Sequence, residues 1–208
     1  GLPPVPVVHG MTIGEYAQLV NGEHWLKNGI QCDLKVIPCK NYNHQVPYVL
    51  PVQPSPNLPN QQSIYLYPSL CFFEGTNMSV GRGTDKQFQI YGAPNFSAGA
   101  FTFTPVPMPG AKYPKHEDEL CTGVDLSDVP LNTLRNQQLH IEYLITAFQN
   151  YPNKDQFFLS NNFFEKLAGN NQLRQQIIDG WSAEEIRESW QADLKEFRAI
   201  RKRYLLYD

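Results

Sequence analysis

The sequence has no apolar run approaching the roughly 20 residues that cross a bilayer, so no transmembrane helix is expected. It has no basic excess either: 17 Lys and Arg stand against 20 Asp and Glu, a formal charge of -3. Without phosphate-neutralising surface, a nucleic-acid partner is disfavoured. Charge of either sign is sparse in residues 1–104, which carry only Lys27, Lys35, Lys40, Arg82 and Lys86 against Glu15, Glu23, Asp33, Glu74 and Asp85. An ionised side chain there stands out. Cysteine is scarce and badly spaced for metal. Among Cys32, Cys39, Cys71 and Cys121 the closest pair has six residues between them, wider than the C-x2-4-C of zinc sites. No metal centre is expected. Cys71 reads as a small buried hydrophobe, and Cys32 and Cys39 could pair only in an oxidising compartment.

What is present suffices for a packed core: 208 residues, 41% hydrophobic and 12% aromatic, punctuated by 17 prolines. The expectation is a single α+β domain over 1–208, with a mixed or antiparallel sheet and a helical annex from about 133 to 208. The opening Gly1-Leu2-Pro3-Pro4-Val5-Pro6 reads as an extended lead-in without a start methionine. That is expected after removal of a signal, or for a piece of a longer protein.

Thr12-Ile13-Gly14-Glu15 is a capping box opening a helix that Asn21-Gly22 ends, with Glu15 acting as a cap. Residues 34–38, 69–74, 87–91, 101–104 and 123–126 read as strands, and 47–59 as a proline-stiffened loop. Helices are expected around 139–148, over 162–168 and over 172–179. A long final helix starts at the second capping box, Ser182-Ala183-Glu184-Glu185, and carries Ile186, Trp190, Leu194, Phe197 and Ile200 on one face. Trp181 and Trp190 read as core. Arg198, Arg201, Lys202 and Arg203 read as a solvated face balanced by glutamates.

Chemistry concentrates in Glu74-Gly75-Thr76-Asn77-Met78-Ser79-Val80-Gly81-Arg82-Gly83-Thr84. Bulky apolar residues deliver a carboxylate to a loop of three glycines interleaved with polar side chains, where backbone N–H groups can converge on a ligand. A Walker A loop is ruled out, since five residues separate Gly75 from Gly81 and Arg82 stands where Lys belongs. A nucleophile elbow around Ser79 lacks its first glycine and its following helix, which leaves serine hydrolysis as a weak alternative. Two readings stay open: a loop for a neutral, hydroxyl-rich ligand with Arg82 available for a carboxylate, or a tight turn that a Glu74–Arg82 pair merely orders.

This run, with His9-Gly10-Met11-Thr12-Ile13-Gly14-Glu15, Pro54-Ser55-Pro56-Asn57-Leu58-Pro59, Tyr67-Pro68, Gly92-Ala93-Pro94 and Arg203-Tyr204-Leu205-Leu206-Tyr207, resembles the NamZ-type exo-β-N-acetylmuramidases, bacterial glycosidases once known only as a domain of unknown function. The likeness runs in order from about Pro6 to the last residue. It implies release of N-acetylmuramic acid from non-reducing ends of peptidoglycan fragments, without metal or organic cofactor, in the periplasm or outside the cell. It further implies a cleft between a Rossmann-like N-terminal half and a C-terminal half, of which this chain resembles the latter. The glutamate of the family's Gly-Pro-Glu-His-Gly motif has no counterpart in this sequence. The partners implied are therefore that N-terminal half and a muramic-acid-terminated saccharide or muropeptide.

Carried over by the resemblance, Glu74 is the candidate catalytic carboxylate from this half, and Asn77, Ser79, Arg82 and Thr84 face the cleft. His9 and Asn57 lie near its rim. The family often has an acid where Val80 stands, so that acid is not the essential one here. His9 equally suits a hydrogen-bonding role and Asn57 a loop-forming one. A carbohydrate-binding or scaffold module without turnover is the competing expectation.

Overall fold

The structure, a computed structural model, describes residues 4–207. Among them are eight α-helices and three strands: α1 (Ile13–Gly22), α2 (Gln61–Leu70), β1 (Ile90–Ala93), β2 (Phe101–Phe103), β3 (Cys121–Asp125), α3 (Leu131–Asn136), α4 (Glu142–Asn150), α5 (Phe163–Ala168), α6 (Gln172–Ile178), α7 (Ala183–Ser189) and α8 (Gln191–Arg201). The class is α+β, and the sheet is antiparallel in the order β1-β3-β2. Two compact units divide the chain: a first one of the residues up to Val49 together with those from Arg187 onward, and a second one of Leu50–Ile186.

In the first unit α1 packs Leu19 and Val20 against Phe197 of α8, with Tyr16, Trp25, Ile200 and Tyr204 closing the cluster. The capping box forms as its spacing dictates: Glu15 N donates to Thr12 Oγ1 at 3.3 Å while Glu15 Oε2 accepts from Thr12 N at 2.7 Å. Glu15 does more than cap. It is fully buried, and Oε1 accepts from Leu206 N at 2.8 Å and meets His44 Nε2 at 3.0 Å. Burial alone would raise its pKa, but the bonds from Thr12, Leu206 and His44 overcome that and hold the carboxyl down at about 2.

The expected strand at 34–38 is absent. That stretch is irregular, with Leu34 37% and Ile37 80% exposed, and no strand among the described residues pairs with it to complete a ladder. The expected long final helix is two helices. Trp190 N bonds Arg187 O at 3.2 Å, three residues back instead of four, and α8 restarts with Leu194 N on Trp190 O at 2.9 Å. Trp181, expected in the core, is 40% exposed. Cys32 and Cys39 are exposed free thiols, whereas Cys71 is buried as expected.

In the second unit, β1 runs against β3 with Ile90 opposite Asp125 and Gly92 opposite Gly123, and Phe103 of β2 lies opposite Cys121. Residues 69–74 are not a strand. Asn60 Oδ1 accepts from Ser63 N at 2.9 Å, and the reciprocal bond from Asn60 N to Ser63 Oγ, 3.3 Å, completes a capping box for α2. Pro68 lacks the N–H that would continue the ladder, and the chain tightens after Leu70 into a 3-10 turn, Cys71–Gly75. That turn buries Phe72 and Phe73, the latter stacked on Tyr91 of β1 with ring centroids 4.9 Å apart. Phe157, Phe158 and Phe164 extend the aromatic core.

Candidate functional site

Glu74 is the penultimate residue of the 3-10 turn, so a buried aromatic pair fixes where its carboxylate emerges. From there the chain runs through Thr76 and Ser79 into the glycine loop. Ser79 N donates to Gly92 O at 2.8 Å and Gly92 N returns a bond to Ser79 O at 3.1 Å, tying the loop to β1. Gly81 (φ +75°) and Gly83 (φ +87°) adopt the left-handed conformation that only glycine takes without strain. At Gly83 the space is also closed: a Cβ would stand 2.8 Å from Val106 O and from Pro114 Cβ. The loop thus lies flush against residues 106–114.

These constraints return Arg82 to Glu74. Arg82 Nη1 donates to Glu74 Oε1 at 2.9 Å, and Nη2 donates to Gly110 O at 3.2 Å. Asn57 Nδ2 donates to the same Gly110 carbonyl at 2.9 Å, so Glu74, Arg82 and Asn57 share one network. Beside it lies a cavity of about 240 Å³ lined by Glu74, Ser79 and Arg82, by the apolar Met78, Val80 and Phe163, and by Tyr113, Pro114 and Lys115.

The remaining expected residues are placed otherwise. Asn77 spends its side-chain amide on Gln156 O at 2.5 Å. Thr84 closes the local turn, its hydroxyl donating to Gly81 O at 2.7 Å. Ser79 reaches the cavity wall but is 2% exposed, and its Oγ accepts from Gly81 N at 3.2 Å. Turns and then β1 follow it, without the helix that a nucleophile elbow requires. His9 belongs to the first unit, where Nδ1 accepts from Met11 N at 3.2 Å and the ring faces Tyr16, centroids 5.1 Å apart. Burial, with Arg201 nearby, lowers its pKa.

Lys115 was not expected. The only sequence signal was a cation in the short run Lys112-Tyr113-Pro114-Lys115-His116, inside what reads as a proline and glycine connection. Lys115 Nζ donates to Thr76 O, and His116 Nε2 lies 2.7 Å from Asn77 O, so consecutive side chains hold consecutive carbonyls. Burial pushes the Lys115 ammonium down to about 8, with Glu74 pulling the other way. A larger concavity, about 340 Å³, lies in the first unit, but its cation, Arg203, is already paired with Glu23 at 2.8 Å. Among the described residues no cluster of His, Cys, Asp and Glu is arranged to hold a metal ion, and no helix is long and apolar enough to cross a membrane.

Residues 65–207 match the family model for the C-terminal part of the exo-β-N-acetylmuramidase NamZ, and residues 1–62 match the model for its N-terminal part. The chain belongs to the NamZ exo-β-N-acetylmuramidase family. The matches thus take in both the N-terminal and the C-terminal model, where the resemblance had implied the C-terminal half alone. Its relative from Bacillus subtilis (strain 168), peptidoglycan β-N-acetylmuramidase NamZ, is 36% identical over 225 residues, which take in all of this chain and 52% of that protein. A crystal structure of a DUF1343 family protein from Bacteroides fragilis NCTC 9343 superposes with a TM-score of 0.94 at 50% identity, covering 100% of this chain and 58% of that one. A second DUF1343 protein from the same organism shares the fold, with a TM-score of 0.80 at 23% identity over 98% of this chain and 58% of its own. The chain spans about half the length of its NamZ relative.

Proposed function

We propose that this chain forms one wall of the substrate cleft in a glycoside hydrolase that releases N-acetylmuramic acid from non-reducing ends of peptidoglycan fragments, with a Rossmann-like N-terminal half supplying the other wall. The observation that carries the reading is the cavity beside the Glu74–Arg82–Asn57 network, whose lining residues lie in the stretch that matches the NamZ C-terminal model, Asn57 lying in the stretch that matches the N-terminal one. It offers a carboxylate, two hydroxyls and two cations among apolar side chains, a lining suited to an amphipathic sugar acid. No cofactor has a part in this chemistry. The substrate places the work in the periplasm or outside the cell, in the turnover of wall fragments.

Glycoside hydrolysis commonly uses two carboxyl groups, about 5 to 5.5 Å apart for retention and about 6.5 to 9.5 Å for inversion. Glu74 is the one carboxylate that lines this cavity among the described residues. A second must come from elsewhere, and that favours a binding role without turnover for the chain by itself. Assay on a chromogenic N-acetylmuramide separates the readings. We expect no turnover by this chain, activity once the N-terminal half is restored, and loss of at least about 100-fold in the restored protein with Glu74→Gln or Arg82→Ala. Turnover by the isolated chain overturns the shared cleft, and binding that never becomes turnover leaves the scaffold reading.

A further inference from the structure

We propose that Lys115 is a specificity-determining residue of this cavity, its ammonium receiving the carboxylate of an acidic sugar, and that Arg82 is a positioning residue that orders Glu74. The inference rests on reading the cavity as a sugar-binding cleft. Arg82 is the residue that the sequence offers for a carboxylate, but both of its terminal nitrogens already donate, Nη1 to Glu74 and Nη2 to the Gly110 carbonyl, and Glu74 already meets its charge. Lys115 is differently placed. An ammonium has three donors, and Lys115 is given one acceptor, the Thr76 carbonyl, with no acidic side chain among the described residues ion-paired to it. Met78, Val80 and Phe163 line the same space and lower its local dielectric, so a charge meeting this ammonium is worth more than in water.

The position is fixed from both sides. Pro114 stiffens the backbone just before Lys115 and packs on Gly83, and Val106 N donates to Gly83 O at 2.9 Å. His116 holds the next carbonyl. Glu74 and Arg82 face Lys115 from the 3-10 turn and the glycine loop. On its own segment stand Tyr113, under Lys112 at 5.1 Å, and His116, 3.6 Å from Glu119. Glu74 is offset by Arg82, which leaves the protonated amine as the net charge of the cavity. Burial outweighs the pull of Glu74 and holds the amine near 8, and a carboxylate seated on it reverses that shift.

The test is a pH titration of ¹³C-dimethylated lysine signals in the full chain, with the Lys115 signal identified by its absence in Lys115→Met. The probes are N-acetylmuramic acid, its methyl ester and free lactate. We expect the acid to raise the Lys115 midpoint by about one unit and to bind about tenfold tighter than the ester at pH 7. That preference disappears above pH 9, where the free amine is neutral, while Lys115→Arg, whose charge persists there, keeps it. Equal binding of acid and ester, both insensitive to Lys115→Arg, overturns the role of Lys115 and leaves the sugar cleft standing. Lactate that titrates Lys115 when neither sugar binds keeps the carboxylate site and overturns the sugar cleft. No response of Lys115 to any of the three overturns the inference.

Discussion

Glu15 shows how one side chain can hold a unit together and also set its acid limit. Its carboxylate serves Thr12, His44 and Leu206, and its pKa of about 2 lies below the ordinary 4.5. A carboxyl depressed in the folded state contributes stability that is complete above pH 4.5 and is lost as the pH falls from there towards 2. The difference amounts to on the order of 3 kcal/mol. Glu15→Gln should lose about that much at pH 7, because an amide presents donors to the Thr12 and Leu206 N–H groups. The gap from the parent chain should close by pH 2, and urea unfolding of both proteins across the range would read it. A gap that stays constant from pH 7 to pH 2 would show that the ionised form carries none of the stability. The spacing of Thr12 and Glu15 made the cap legible. The bonds to His44 and Leu206 were not, since both partners lie far along the chain.

Among the elements, the glycine loop is the most constrained. Gly83→Ala forces a Cβ into Val106 O and Pro114 at positive φ and should cost about 1 to 3 kcal/mol. It should also displace the Lys115 amide signal in a ¹⁵N spectrum, whereas substitution at Gly169, at positive φ in open space, should leave that signal in place. Legibility at this scale follows how local the cause is. Helices α1, α4, α5 and α6 have their own periodicity and stop signals, and β2 and β3 alternate or punctuate as strands do. Helix α2 was hidden because its cap uses Ser63 where glutamate or glutamine is usual, and because Pro68 and the run Leu70-Cys71-Phe72-Phe73 read as strand. The stretch 34–38 has strand composition without a partner, and composition does not reveal the lack of one. In the site, Glu74 and Arg82 were legible from eight-residue spacing in a charge-poor half. Lys115 was not, since Pro114 packing on Gly83 is what brings it there.

On the scale of the whole molecule, the second unit comes from one continuous stretch and the first from two separated ones. Deleting residues 203–207 removes the Arg203 and Tyr204 bonds to Glu23, the Leu206 bond to Glu15 and the Tyr207 bond to Cys39. Amide exchange in α1 should then accelerate at least about tenfold while β1 and β3 exchange as before. Equal acceleration in both units would mean that they unfold as one cooperative body. The split also sets a timetable for biosynthesis. At about 5 to 20 residues per second, α1 leaves the ribosome on the order of ten seconds or more before Leu206 exists to close on Glu15. For most of that interval the apolar face of Leu19 and Val20 has no Phe197 to cover it, and the whole of Leu50–Ile186 is made before Phe197 is. Helix α1 is made before the other described helices yet is among the last to be secured, and in the meantime its apolar face lacks its native cover.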